Sequence, residues 1–99
     1  MQQLKFAISL AQKAGKLVSG DMGVEKALLS RKAKLLIIAT DAAPSTQATI
    51  GALCEKYSIP IYREFTKAEL GMAIGKSPRA CIALTDKNFV IMVEKYMKK

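Results

Sequence analysis

The chain contains no histidine. That removes the commonest metal ligand and the side chain that usually serves as acid or base near neutral pH. It also leaves the serines without the partner that ordinarily activates them. Carboxylates are scarce, eight Asp and Glu in 99 residues, and only Asp21 and Glu25 are spaced to share a helix face. Those two fall at a helix start, where negative charge offsets the macrodipole. An enzyme, a metal centre and a cofactor site are therefore not expected. Cysteine is nearly as rare. Cys54 and Cys81 stand far apart without partner spacing and read as small core residues of a reduced, cytosolic protein. No apolar run nears the ~18 residues of a membrane span, so no membrane is expected. The opening segment, with Lys5 and Lys13 inside an amphipathic pattern, is too polar for a signal peptide. Linkers, internal repeats and low-complexity stretches are also missing.

What is abundant is positive charge. Sixteen Lys and Arg against eight acids give a net charge of +8. So large an excess on so short a chain repels itself, which favours a polyanionic partner, nucleic acid above all, over a merely solvated basic surface. The hydrophobic content of 51% suffices for one core without disulfide or metal staples. Residues 1–99 are thus expected to form one domain, and a monomer.

Helical and extended patterns alternate along the chain. Leu4, Ala7, Ile8 and Ala11 mark a first helix that Gly15 ends as a left-handed cap. Lys16–Ser19 is a short strand candidate. A helix from about Asp21 to Arg31 follows, with Val24, Ala27 and Leu28 inside. Leu35–Thr40 is an apolar strand covered on both faces. Pro44 and Ser45 open a third helix with Ile50, Leu53, Cys54 and Tyr57 inward. Ile59–Tyr62 reads as a strand with Pro60 near its start, where a missing N–H matters least. Thr66 and Glu69 fit a capping box for a short helix through Leu70, Ala73 and Ile74. Ala80–Thr85 is another buried strand, and Asp86 caps a last helix with Phe89, Met92, Val93 and Tyr96 inside. Strands alternating with helices predict an α/β protein, a three-layer α/β/α sandwich.

Two segments carry the functional signal. Gly20 permits an unusual turn or a close approach, and Asp21 begins a helix whose free N–H groups suit an anion. Farther on, residues 71–77 (GMAIGKS) superficially resemble a phosphate-binding P-loop. The spacing is one residue short, because three residues rather than four separate the glycines, and the segment closes a helix instead of opening one. What remains is a short loop, Gly75, Lys76, Ser77, Pro78 and Arg79, with two cations. By itself it is an ordinary helix-to-strand connection. If the Lys16–Ser19 and Ala80–Thr85 strands end side by side, it joins the Gly20 turn in one basic edge.

Three blocks also carry a resemblance: GDMGVEKALLSRKAKLLIIATDAAP (20–44), CEKYSIPIY (54–62) and AELGMAIGK (68–76). Together they resemble the kink-turn-binding ribosomal-protein family of the L-seven-Ae and L-thirty-e type. With the basic opening LAQKAGKLVSG, the chain looks most like the bacterial YlxQ-like branch. The resemblance runs from about Leu4 to Phe89. It implies a sandwich around a four-stranded mixed sheet, bound to structured RNA, often ribosomal RNA. The family's signature is Gly-x-Asn-Glu-x-x-Lys at the start of the helix that lies beside tandem sheared G·A pairs. Gly20 and Lys26 match its glycine and lysine, but Met22 stands for the asparagine and Gly23 for the glutamate. Thr40 replaces the acidic residue that often precedes Asp41. The family's second, largely apolar RNA loop corresponds to the shorter, more cationic segment Lys76, Ser77, Pro78 and Arg79.

The implied RNA site thus comprises Gly20, Asp21, Met22, Gly23 and Lys26 with Gly75, Lys76, Ser77, Pro78 and Arg79. Lys26, Lys76 and Arg79 would meet phosphates, and the two early glycines would admit a close backbone. Methionine and glycine cannot replace the base-edge bonds of asparagine and glutamate, so backbone contacts should dominate. Met22 is open to two roles, packing on a base or sugar, or acting as a partly buried staple at the helix start. The rival function is a protein-interaction module that kept the fold and lost kink-turn recognition.

Overall fold

A computed structural model of the protein describes residues 2–97. The elements are α1 (Gln2–Lys13), β1 (Leu17–Ser19), α2 (Asp21–Leu29), β2 (Leu35–Ile38) and α3 (Pro44–Lys56), then β3 (Ile61–Arg63), α4 (Lys67–Ala73), β4 (Cys81–Leu84) and α5 (Lys87–Met97). The strands form one mixed sheet in the order β1-β4-β2-β3. β4 runs antiparallel to both β1 and β2, and β2 is parallel to β3. Helices α1, α4 and α5 pack together on one face, while α2 packs with α3 on the other. This is the expected three-layer α/β/α sandwich.

Burial follows the sequence pattern. The central strands β2 and β4 are apolar and buried along their whole length, as strands covered on both faces should be. The edge strands β1 and β3 are mostly half-exposed. Leu4, Ala7, Ile8 and Ala11 of α1 and Val24, Ala27 and Leu28 of α2 enter the core from opposite sides. On α5 the inner line is Phe89, Val93 and Met97, whereas Tyr96 is exposed rather than inside as the sequence suggested. Tyr96 lies only about 60° around the helix from Val93, so its exposure comes from its position in the last turn of α5 rather than from its face.

Helix ends account for the other differences. Four helices close with the same paired bonds, in which a residue with positive φ follows the last turn. Gly15 (φ 71°) ends α1 and Gly75 (φ 70°) ends α4. Arg31 (φ 62°) and Ser58 (φ 57°) do so for α2 and α3, although neither is a glycine. The Arg31 turn stops α2 at Leu29, two residues early. The Ser58 turn uses the N–H of Ile59 to reach the Cys54 carbonyl at 2.8 Å, so β3 starts at Ile61 instead of Ile59. β2 likewise ends at Ile38. The N–H groups of Ala39 and Thr40 go instead to the carbonyls of Ala80 (2.8 Å) and Phe65 (2.9 Å).

Candidate nucleic-acid interface

Because β1 and β4 are antiparallel, the end of β1 lies beside the beginning of β4. Ser19 sits opposite Ile82, and the Gly20 N–H donates to the Cys81 carbonyl at 3.0 Å. The Gly20 turn and the 75–79 loop therefore meet, as the edge inferred from the sequence requires. β2 and β3 run parallel and finish at the same end of the sheet. Helices α2, α3 and α4 thus all begin there, each presenting the positive pole of its dipole.

Gly20 has φ 87° and ψ 158°, a region essentially closed to residues with a Cβ. This turn swings the chain directly from β1 into α2. No side chain caps the start of α2, so its first-turn N–H groups remain available to an outside acceptor. The start of α4 is different. Thr66 Oγ1 accepts from the Glu69 N–H (3.2 Å), Glu69 Oε1 from the Thr66 N–H (2.8 Å), and Asp41 Oδ1 from the Lys67 N–H (2.8 Å). The two helices start at the same end of the sheet, one sealed by its own side chains and the other open.

Asp21 is occupied within the protein. Its Oδ2 accepts from Thr46 Oγ1 at 2.9 Å, and the Cys81 thiol lies 3.9 Å from Oδ1. The carboxylate therefore ties the first turn of α2 to α3 and β4. Burial, then the neighbouring Asp21 carboxylate, pushes the Cys81 thiol up to about 12. Met22 is 86% exposed; the structure excludes the buried-staple role and leaves its thioether projecting from the edge. At Gly23 an added Cβ would meet no atom within 4 Å. No packing demand explains this glycine, which costs a helix up to ~1 kcal/mol relative to alanine. Lys26 is exposed one turn farther on. Together with Met22 and Leu29 it lines an open hollow of about 430 Å³ on the outer face of α2.

The 75–79 loop owes its shape to two residues. Gly71, buried within α4, faces the backbone of Ser77 and Lys76 so closely that any Cβ there would collide with them. Arg79 then pins the loop. Its Nη1 donates to the Ser77 carbonyl (3.1 Å), Ser77 Oγ (2.7 Å) and the Pro78 carbonyl (3.3 Å), and its Nε donates to Ser19 Oγ (3.2 Å). Arg79 is thus a brace as well as a charge. Lys76, Ser77 and Pro78 are exposed. Between the loop and the Gly20 turn lies an open cleft of about 450 Å³, lined by Ser19, Gly20, Met22, Gly23, Pro78 and Arg79 among others.

All ten residues inferred from sequence belong to these two segments, but Asp21 and Arg79 spend much of their bonding capacity on the protein itself. Two contributors escaped the sequence reading. Ser19 gave no signal, being an ordinary strand-end serine. Gly71 did give one, an isolated glycine inside a helical pattern, which marks a close packing contact.

An α/β/α sandwich with this strand order, an open helix start and a braced basic loop at one sheet end defines a small, non-repetitive α/β class of protein. Its sequence pattern matches that of the ribosomal protein L7Ae/L30e/S12e/Gadd45 family over residues 2–92, and the chain belongs to that family. It is similar to RNA-binding protein YlxQ of Bacillus subtilis (strain 168), 35% identical over 82 residues, covering 83% of this chain and 82% of that one. RNA-binding protein YlxQ of Enterococcus faecium is 33% identical over 88 residues, covering 89% and 84%. Among solved structures, a protein of unknown function from Bacillus halodurans C superposes with a TM-score of 0.87 at 28% identity, covering 95% of this chain and 99% of its own. The Giardia lamblia 15.5kD RNA binding protein gives 0.82 at 23% identity, with 95% and 81% covered; at that identity the likeness speaks for the fold alone. Three of these four proteins carry the names of RNA-binding proteins, and none carries that of an enzyme.

Proposed function

We propose that this protein is a non-enzymatic RNA-binding protein whose contact edge is the open start of α2 together with the 75–79 loop. The observation that carries this reading is the bracing of that cationic loop against the uncapped helix start, through the bond from Arg79 to Ser19. The substrate class is structured RNA of the kink-turn kind, ribosomal RNA included, taken up by a monomer. Lys26 and Lys76 contact phosphates, and the N–H groups of the first turn of α2 donate to another. Arg79 holds the loop and turns its remaining N–H groups outward. Met22 and Gly23 leave no side-chain hydrogen bonds for base edges, so affinity comes from backbone charge and shape. Membership of a family with RNA-binding relatives supports the same reading.

A gel-shift series tests it with a kink-turn, the same RNA with its G·A pairs broken, and a plain duplex. The kink-turn is expected to bind tightest. Its margin over the duplex should be smaller than the ~100-fold that a full bidentate base contact can supply. Failure to bind any of the three overturns the proposal. It would favour the rival reading of a protein-interaction module, for which the exposed Met22 and Leu29 beside the hollow on α2 are the supporting feature.

A further inference from the structure

Much of the positive charge lies at the other end of the sheet. There α2 and α3 end, and β2 and β4 supply their opposite termini. A cleft of about 380 Å³ opens between the two helix ends, lined by Arg31, Lys34, Lys56 and Tyr57 and by no acidic side chain among the described residues. The Arg31 guanidinium and the Lys56 ammonium each lie 5.4 Å from the centre of the Tyr57 ring. Two more cations, Lys16 and Lys87, lie at the same end of the sheet, across the end of β4. The Lys16 carbonyl accepts from the Thr85 N–H at 3.0 Å, and the Lys34 N–H donates to the Leu84 carbonyl at 2.7 Å. Lys87 opens α5 just beyond. Apart from the half-buried Tyr57 ring, all these side chains are exposed.

The simplest explanation is that cations collect at helix C-termini to offset the dipoles. Magnitudes argue against its sufficiency. Two helix ends present about half a negative charge each, whereas Arg31, Lys34 and Lys56 bring three positive charges. Lys34 belongs to neither helix. The terminal carbonyls are also already engaged by the closing turns, such as Lys32 N–H to Ala27 O at 2.9 Å. A net positive cleft remains after the dipoles are met.

We infer that this end is a second face for the phosphate backbone of RNA, so that one molecule can join two RNA segments. The inference rests on the RNA reading above for the class of its ligand, but not on the residues assigned there. Phosphate is favoured over a base because the Tyr57 ring, the one aromatic surface in the cleft, is already engaged by two cations. Recognition here is therefore insensitive to sequence.

The test counts bound RNA. Native mass spectrometry and salt titration would be run with a short RNA duplex on three proteins: the parent, Arg31→Gln/Lys34→Gln/Lys56→Gln, and Lys26→Ala/Lys76→Ala. The parent should bind two duplexes and each variant one, and the triple variant should lose about 2–3 from its log–log salt slope. Lys34→Glu alone, which spares the contacts to Tyr57, repeats the test should the triple variant fold poorly. A parent that binds a single duplex overturns the joining of two RNA segments, and a triple variant that binds as many duplexes as the parent overturns this face. If Lys26→Ala/Lys76→Ala changes nothing while the triple variant loses all binding, the edge at α2 is wrong and this face stands. The reverse pattern removes this face and keeps the edge. A polyglutamate peptide that displaces RNA from Lys26→Ala/Lys76→Ala as well as unlabelled RNA of equal charge would also overturn an RNA assignment.

Discussion

Arg79 Nε donates a hydrogen bond to Ser19 Oγ at 3.2 Å, across 60 residues of sequence. The same guanidinium holds three acceptors of its own loop through Nη1. One planar group thus fixes the 75–79 loop internally and also docks it beside the start of α2. Only arginine combines this fork of donors with a permanent charge.

Arg79→Lys should therefore behave as a loss. The charge remains, but an ammonium cannot bond Ser19 and the Ser77–Pro78 backbone together. Kink-turn affinity is expected to fall about five- to tenfold, the equivalent of one or two ordinary hydrogen bonds. Gel-shift measurement with circular dichroism as a folding control checks this. Equal affinity for the two proteins would mean that Arg79 acts through charge alone.

Gly71 and Gly51 make a matched pair, both inside helices. A Cβ at Gly51 would meet nothing within 4 Å, whereas at Gly71 it would strike the backbone of the loop. Gly51→Ala should gain up to ~1 kcal/mol from helix propensity. Gly71→Ala gains the same but must displace Lys76 and Ser77, and forced overpacking costs typically ~1–3 kcal/mol. The collision should win, lowering the melting temperature by several degrees and weakening RNA binding. Thermal unfolding of both variants settles the comparison; a stabilised Gly71→Ala would show that the loop yields freely.

The same residues show what the sequence could and could not reveal. Continuous apolar runs predicted β2 and β4, and helical spacing predicted the inner faces of α1 and α2, because burial on a regular element leaves a periodic trace. The Thr66–Glu69 capping box was equally legible, since both partners lie within one turn. Arg31 and Ser58 left no trace. Each is exposed and adopts a left-handed turn without glycine, closed by the paired bonds at the helix end against a local cost of roughly 1–2 kcal/mol. The brace from Arg79 to Ser19 and the anchor from Asp21 to Thr46 join residues distant in sequence, and nothing in the local pattern of either partner announces them. The meeting of the Gly20 turn with the 75–79 loop could be anticipated from the sequence, but the division between residues facing outward and residues holding the two segments together could not.

The two thiols give stability a particular pH dependence. Burial raises Cys54 to about 11; burial together with the Asp21 carboxylate raises Cys81 to about 12. In the unfolded chain both ionise near 9, so above that pH the folded state holds more protons than the unfolded one. Their contribution is complete below pH 9 and is lost as pH climbs toward the folded values, at up to ~1.4 kcal/mol per pH unit for each thiol. Urea unfolding at a series of alkaline pH values should show this decline. Cys81→Ala should start less stable yet decline less steeply. Rapid labelling of either thiol in the native protein would contradict the burial on which the effect depends.

The last prediction concerns the positions that depart from the family's signature. Met22→Asn with Gly23→Glu would restore the usual pair at the start of α2. Met22 is 86% exposed, so little packing is lost, and a side chain at Gly23 has open space. Glutamate in the first turn also suits the helix dipole and has better helix propensity than glycine by up to ~1 kcal/mol. The double variant should therefore be at least as stable as the parent in thermal unfolding. Asparagine adds an amide and glutamate an acceptor able to bond base edges. The gain should appear as a larger ratio of kink-turn to duplex affinity rather than as tighter binding overall, because in the proposed mode Lys26 and Lys76 already supply the phosphate contacts. A well-folded variant whose ratio does not rise would place Met22 and Gly23 outside the RNA surface. The exposed methionine, with Leu29 and the hollow beside it, would then be better explained as a contact for another protein.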